Sequence, residues 1–126
     1  GGSVQRSSGG NFSAVTAPGT SASLGGVAGQ SGNDFWVSAD TALYHYTSGT
    51  WTSTTPAPAV SGLRGMWSLN GSDIYAVGAS GALLHYTGVS WNRVDNGVGP
   101  NLVGVSVASR RLWTVGSGGT VLRQDF

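Results

Sequence analysis

Short runs of Val, Leu, Thr and aromatic residues alternate along the chain with polar turns rich in Gly, Ser, Asn and Asp. Runs of about four to seven such residues, bounded by turn formers, are typical of β-strands and not of helices. Lys and Glu, both good helix formers, do not occur in the 126 residues. The pattern therefore predicts an all-β protein of many short strands.

The same pattern returns at a constant spacing. A first block beginning Leu-x-Gly occurs at Leu24, Leu63 and Leu102, each 39 residues after the one before. A second block carries one aromatic residue per copy, at Trp36, Tyr75 and Trp113. A constant spacing in this range is the signature of a structural repeat.

Two further blocks complete the repeat. The third has a polar donor near its centre and occurs four times, at Arg6, His45, His85 and Arg123. The fourth begins with an aromatic residue and occurs three times, at Phe12, Trp51 and Trp91. Turns between blocks are predicted at Gly32-Asn33-Asp34, Gly71-Ser72-Asp73, Ser48-Gly49 and Asn96-Gly97.

Four strands in about 40 residues are what one blade of a β-propeller requires. We expect a single segment, 1–126, of about three four-stranded antiparallel blades. The repeats are approximately 24–62 and 63–101, with part blades at 1–23 and 102–126. Because a closed ring needs at least about four blades, we expect oligomerisation or a longer parent protein to complete it. Two copies would give six blades, with one third-block strand redundant at each junction.

The best copy of the repeat, Leu63 to Trp91, resembles the Gly- and Trp-rich propeller repeats of secreted bacterial proteins, with a consensus like L-x-G-V-W-x-x-x-x-x-D-x-W-A-V-G-x-x-G-x-x-L-H-Y-x-G-x-x-W. It is more distantly similar to photosystem II assembly factors and to sialidase-type repeats. The resemblance implies a propeller fold, and it says little about the activity of the protein. The sialidase-type box Ser-x-Asp-x-Gly-x-Thr-Trp is not matched. A bacterial protein, secreted or at the cell surface, is the implied setting.

Composition narrows the function classes. Charged residues make up 9% of the chain and the net charge is +1, and apart from Arg110-Arg111 the charges are scattered. No basic stripe exists for a nucleic acid, and no run of about 18 apolar residues exists for membrane insertion. Cys is absent, which excludes disulfides and thiolate metal sites. The sequence predicts no cofactor.

The repeated aromatic residues have two interpretations. Packing in the wedge between blades is the default, and it is predicted for Phe12, Trp36, Trp51, Tyr75, Trp91 and Trp113. Alternatively, some of them lie at blade edges and stack on sugar rings. Trp67 is the Trp least tied to the repeat, because Ala28 and Ser106 stand at the matching positions.

The repeated polar residues are weighed in the same way. His45 and His85 lack a third ligand at coordinating spacing, so no metal site is predicted. They are expected to form structural hydrogen bonds or to donate to a sugar hydroxyl. Asp34 and Asp73 precede matching strands, and we expect their carboxylates to accept hydrogen bonds from local backbone amides in turns.

No enzyme is predicted, since the chain lacks paired carboxylates, a Gly-x-Ser-x-Gly elbow and a phosphate loop. The favoured hypothesis is multivalent, lectin-like glycan binding in pockets at or between blades. Its candidate ligand residues are His45, His85, Tyr46, Tyr86, Trp51, Trp67 and Trp91. The alternative is a structural or protein-interaction propeller that assembles with other chains and has no small-molecule site. Solvent-accessible aromatic residues would favour the first hypothesis, and buried ones the second.

Overall fold

A computed structural model describes residues 2–94 and 99–126, and these ranges contain strands, turns and two short 3-10 segments but no α-helix. The predicted turn at Asn96-Gly97 lies outside the described residues. The strands are β1 (Val4–Ser8), β2 (Asn11–Val15), β3 (Leu24–Ser31), β4 (Asp34–Ala39), β5 (Ala42–Thr47), β6 (Thr50–Thr54), β7 (Gly65–Asn70), β8 (Asp73–Val77), β9 (Leu83–Tyr86), β10 (Trp91–Arg93), β11 (Leu102–Ala108), β12 (Arg111–Gly116) and β13 (Thr120–Asp125).

The strands form four antiparallel sheets in chain order. Strands β3 to β6 make one four-stranded meander, called blade 1, and β7 to β10 make a second, called blade 2. Strands β1 and β2 form an N-terminal hairpin, and β11 to β13 form a three-stranded C-terminal sheet. Two four-stranded blades flanked by partial ones confirm the prediction of an all-β chain of propeller blades.

The tight turns use two different devices. At Ser48-Gly49, between β5 and β6, both residues have positive φ, 48° and 94°, as expected of a two-residue hairpin. In the turns before β4 and β8 a side chain accepts a backbone hydrogen bond. The Asn33 amide donates to Ser31 Oγ at 3.2 Å, and the Ser72 amide donates to Asn70 Oδ1 at 2.9 Å.

The first strands of successive sheets, β3, β7 and β11, lie side by side. A Cβ added at Gly65 in β7 would lie 2.7 Å from the Val103 carbonyl oxygen and 2.9 Å from Val77 Cγ2. One added at Gly26, the same position one repeat earlier, would lie 2.8 Å from the Arg64 carbonyl oxygen. These distances leave no room for a side chain, so the repeated glycine allows the inner strands to approach.

Apolar side chains fill the spaces between neighbouring sheets. Between blades 1 and 2 the buried cluster includes Trp36, Leu43, Ile74, Leu84 and Trp91. Between blade 2 and the C-terminal sheet it includes Tyr75, Val77, Leu83, Leu102 and Leu112. The aromatic residues buried here thus pack between blades, as the core interpretation predicts.

A backbone hydrogen bond from the first leucine of a repeat ties blade 1 to blade 2 and blade 2 to the C-terminal sheet. The Leu63 amide donates to the Asp40 carbonyl at 2.9 Å, and the Leu102 amide donates to the Gly78 carbonyl at 2.9 Å. Both leucines are the first residue of their repeat. The donor thus stands at the same repeat position at both junctions, and the acceptors lie at neighbouring positions just after the second strand.

Two of the predicted core residues are exposed. Phe12 in β2 and Trp113 in β12 both lie in the partial sheets at the ends of the described chain. The equivalents of Trp113, which are Trp36 and Tyr75, are covered by the next sheet along the chain. Among the described residues no further sheet covers Trp113, and no sheet precedes the hairpin that carries Phe12. The core prediction was therefore wrong for these two residues.

Residues 2–94 and 99–126 contain no helix long and apolar enough to span a membrane.

The close approach of β7 and β11 predicts that Gly65→Ala destabilises the protein. The new methyl group must displace the Val103 backbone, and overpacking of this kind costs about 1–3 kcal/mol. The matched control is Gly99→Ala, whose Cβ would have no neighbour within 4 Å among the described residues. We expect it to change stability by less than about 0.5 kcal/mol. Urea unfolding curves measure both, and equal stabilities for the two variants would contradict this account of the junction.

Candidate functional site

Each complete blade contains one Asp–His pair. Asp34 and Trp36 lie on one face of β4, because side chains two residues apart in a strand share a face. His45 is the cross-strand partner of Trp36, and its Nε2 lies 2.7 Å from Asp34 Oδ1. In blade 2, His85 Nε2 lies 2.6 Å from Asp73 Oδ1. The carboxylates therefore bind imidazoles and not local backbone amides, so the prediction for Asp34 and Asp73 was wrong.

Both imidazoles also stack on the aromatic residue of the second strand. The rings of Trp36 and His45 are 4.3 Å apart at an interplanar angle of 1°. Those of Tyr75 and His85 are 4.4 Å apart at 7°. A carboxylate and an aromatic face thus fix each histidine, which gives it the structural role that the sequence allowed.

Burial and the neighbouring carboxylate of Asp73 also set the pKa of Tyr75. Burial of the side chain raises the pKa of Tyr75 to about 12, and the negative charge of Asp73 and its hydrogen bond with the phenol raise it in the same direction. The phenol therefore stays neutral across the physiological range, and its deprotonation would place two negative charges side by side.

The predicted ligand residues fall into two aromatic clusters and two residues outside them, His85 and Trp67. In blade 1, the ring centres of Tyr46 and Trp51 are 5.0 Å apart. Trp51 Nε1 donates a hydrogen bond to the Thr16 carbonyl at 2.7 Å. Across the junction between blades, Trp36 contacts Tyr86 at 4.9 Å and Trp91 at 5.4 Å. His45 borders the second cluster by stacking on Trp36, whereas His85 stacks on Tyr75, which lies outside both clusters. The structure thus brings most of the candidates together as packing residues.

Trp67 is placed apart from these clusters. It lies in β7, one of the inner strands, and is the cross-strand partner of Tyr75. Its side chain is 40% exposed. Among the candidate ligand residues it has the most accessible aromatic surface.

Sequence reasoning missed an apolar face on the C-terminal sheet. Trp113, Val115 and Val121 are 43%, 44% and 62% exposed; we call these three residues the distal face. The equivalent residues of blade 2 are Tyr75, Val77 and Leu83, and those of blade 1 are Trp36, Ser38 and Leu43, all of them buried. The repeat alignment contained the signal, since these positions are apolar or small in every copy.

A polar rim borders the distal face. The Arg123 guanidinium lies 5.9 Å from the centre of the Trp113 ring. Asp125 accepts from Arg111 at 3.3 Å and from Arg123 at 3.5 Å. All three charged side chains are more than half exposed, so these pairs add little stability. An apolar centre with a charged rim is the usual composition of a protein interface.

The opposite end of the described chain carries a cleft. It lies between the N-terminal hairpin and β3, has a volume of about 420 Å³, and is lined by residues that include Val4, Arg6, Val15, Val27 and Phe35; we call it the proximal cleft. Val27 is 63% exposed, whereas Met66 and Val105, its equivalents in the next two sheets, are half-buried. The hairpin supplies the third and fourth strands of a blade, so the cleft occupies the place of the first two.

The contacts of Tyr75 predict an alkaline loss of stability. Its pKa is higher in the folded protein than the ordinary value of 10.0, so the contribution of Tyr75 is fully present below pH 10 and is lost as the pH rises to about 12. We expect this loss to be smaller in Tyr75→Phe. Ultraviolet titration of tyrosinate should show one late ionisation in the wild type that is missing in the variant. An unchanged titration curve would contradict the assignment.

The Asp73–His85 pair predicts a cost for Asp73→Asn. The substitution removes a charge-assisted hydrogen bond from a partly buried site, which should lower the free energy of unfolding by about 1–2 kcal/mol and also lower the pKa of Tyr75. Asp125→Asn is the control, because its ion pairs are exposed, and we expect a change below about 1 kcal/mol. Thermal unfolding at neutral pH compares the two; a larger loss in Asp125→Asn would refute the structural role of the Asp–His pair.

No protein-family model and no curated protein matches the chain. Among solved structures it is similar to the one described as "YCF48 bound to D1 peptide", with a TM-score of 0.67 and 20% sequence identity. The match covers 83% of this chain and 38% of that one. YCF48 is a β-propeller, and an identity this low speaks for the fold alone. The chain is therefore a β-propeller segment that spans 38% of the length of this neighbour.

Proposed function

We propose that the chain is a non-catalytic protein-interaction module whose distal face binds a strand-bearing segment of a protein partner. The observation that carries the proposal is the contrast in burial between Trp113, Val115 and Val121 and their equivalents in both complete blades. In those blades the same positions are covered by the neighbouring sheet. An exposed copy of a surface that is elsewhere an interface is itself a candidate interface.

The edge of the C-terminal sheet supports the same function. In the complete blades the third strand, β5 or β9, pairs with a fourth strand. In the described part of the chain β13 pairs with β12 alone. A free strand edge beside an apolar face is a template for addition of a partner's strand. The solved YCF48 is bound to a peptide, which supports a polypeptide as the class of partner.

Glycan binding remains the second proposal, and the exposed ring of Trp67 favours it. The polar groups of the other candidates are largely engaged within the protein, since His45 and His85 bind carboxylates and Trp51 donates to Thr16. A sugar site would therefore be built on Trp67 and not on the repeated clusters. A secreted or cell-surface location is proposed on composition and resemblance alone.

The distal face predicts selection of β-strand peptides. We would immobilise the full chain at low density and select from a phage library of random peptides. Enriched peptides should alternate apolar and polar residues, as a strand on a half-buried face requires. Val121→Asp should weaken their binding at least about tenfold, a change of roughly 1.4 kcal/mol, because it places a charge in the apolar centre of the face.

Trp67→Ser serves as the control in the same assay, because it alters an exposed aromatic residue away from the distal face. We expect it to leave peptide binding unchanged. Peptides that bind Val121→Asp as well as the wild type would overturn the proposal. Binding to a glycan array that disappears in Trp67→Ser, without selection of any peptide, would replace it by the lectin function.

A further inference from the structure

We infer that the partner of the distal face is a second copy of this chain, joined head to tail. The C-terminal sheet of one copy enters the proximal cleft of the other, and its β13 pairs with the β2 of that other copy. The inference rests on the proposed function and names the partner. Each junction makes one blade from two chains, with β11, β12 and β13 from one copy and β2 from the next, and two such junctions close a dimer of six blades.

The two ends of the described chain are complementary in strands. The C-terminal sheet has the first, second and third strands of a blade, and its free edge belongs to β13. The N-terminal hairpin has a third and a fourth strand, and the proximal cleft lies where the first two would be. Each end therefore presents a surface that the strands of the other can fill, and this commits the distal face to a copy of the same chain.

The inner strands also fit the repeated junction. Gly104 in β11 stands at the repeat position of Gly26 and Gly65, where each glycine makes room for the backbone of the next inner strand. A Cβ at Gly104 would meet only Val115 Cγ2, at 3.0 Å. In the inferred dimer the strand beginning at Leu24 of the second copy lies against Gly104, as β7 lies against Gly26.

The polar contact of the junction can be repeated as well. Leu102 donates its amide to the Gly78 carbonyl, and Leu24 and Gly116 stand at the corresponding positions of the two free ends. We therefore expect the Leu24 amide of one copy to donate to the Gly116 carbonyl of the other. Burial of Trp113, Val115 and Val121 against Val27 accompanies this bond.

A blade has one third strand, but a head-to-tail junction brings two, because β1 and β13 occupy the same repeat position. Strand β13 carries Leu122, which packs against the second core cluster. Strand β1 carries an exposed Gln5 at that position and is tied to blade 1 by Arg6, which donates to the Gly32 carbonyl and to Asn33 Oδ1 at 3.5 and 3.2 Å. Since β1 has the weaker contacts, it leaves β2 and β13 replaces it.

The register of the exchange follows from the complete blades. His45 pairs with Thr52 and His85 with Asn92, and within the hairpin Arg6 pairs with Ser13. Arg123 stands at the position of both histidines. In the dimer Arg123 of one copy therefore pairs with Ser13 of the other, in place of Arg6.

Cysteine cross-linking tests this pairing, because the chain has no cysteine of its own. Chains carrying Ser13→Cys and Arg123→Cys, distinguished by mass, are mixed and oxidised mildly. Both sites are exposed, so the variants should fold. The heterodimer should form at least about tenfold faster than in the control mixture of Ser13→Cys with Gln124→Cys, whose side chain points to the opposite face of β13.

A second variant tests the exchange of β1. In the double variant Arg6→Cys with Ser13→Cys, the disulfide joins β1 to β2 within one chain and should hold the protein as a monomer; reduction should restore the dimer. Equal cross-linking rates in the test and control mixtures, or a dimer that survives oxidation of the double variant, would overturn the inference. Peptide binding that depends on Val121 without the Ser13–Arg123 cross-link would refute the second copy as partner and leave the proposed function standing.

Discussion

The packing of one blade against the next is the constraint on which the rest of the structure depends. Each blade is one repeat unit, and a single repeat unit cannot bury its hydrophobic face alone. Blade 1, blade 2 and the C-terminal sheet therefore share two buried clusters, one at each junction between them. The repeated glycine of the inner strand sets how close two sheets come.

This dependence explains why the ends of the described chain look unfinished. A repeat that is stable only between neighbours leaves one uncovered face at each end unless a capping element covers it. The distal face and the proximal cleft are those two surfaces. The residues of these two surfaces stand at the same repeat positions as the residues that are buried at the interior junctions. The same repeat positions therefore stabilise the fold and provide the surfaces for interaction.

Much of the fold could be predicted from sequence because it depends on local patterns. Strand composition, turn residues and the 39-residue spacing of Leu24, Leu63 and Leu102 are visible without any knowledge of contacts. What could not be predicted was the partner of each polar or aromatic side chain. Asp34 lies next to a turn in sequence, yet it reaches His45 across the sheet, and only strand register reveals that contact. Trp113 stands at the same repeat position as Trp36, and its exposure depends on whether another blade covers it.

If the distal face takes up a second copy of the chain, the protein in solution has the mass of a dimer. Light scattering over a range of concentrations measures this mass for the 126-residue chain and for its variant Val121→Asp. We expect the wild type to approach twice the chain mass of 12.7 kDa, while Val121→Asp stays at the mass of one chain. A wild type that remains at 12.7 kDa at every concentration would contradict it.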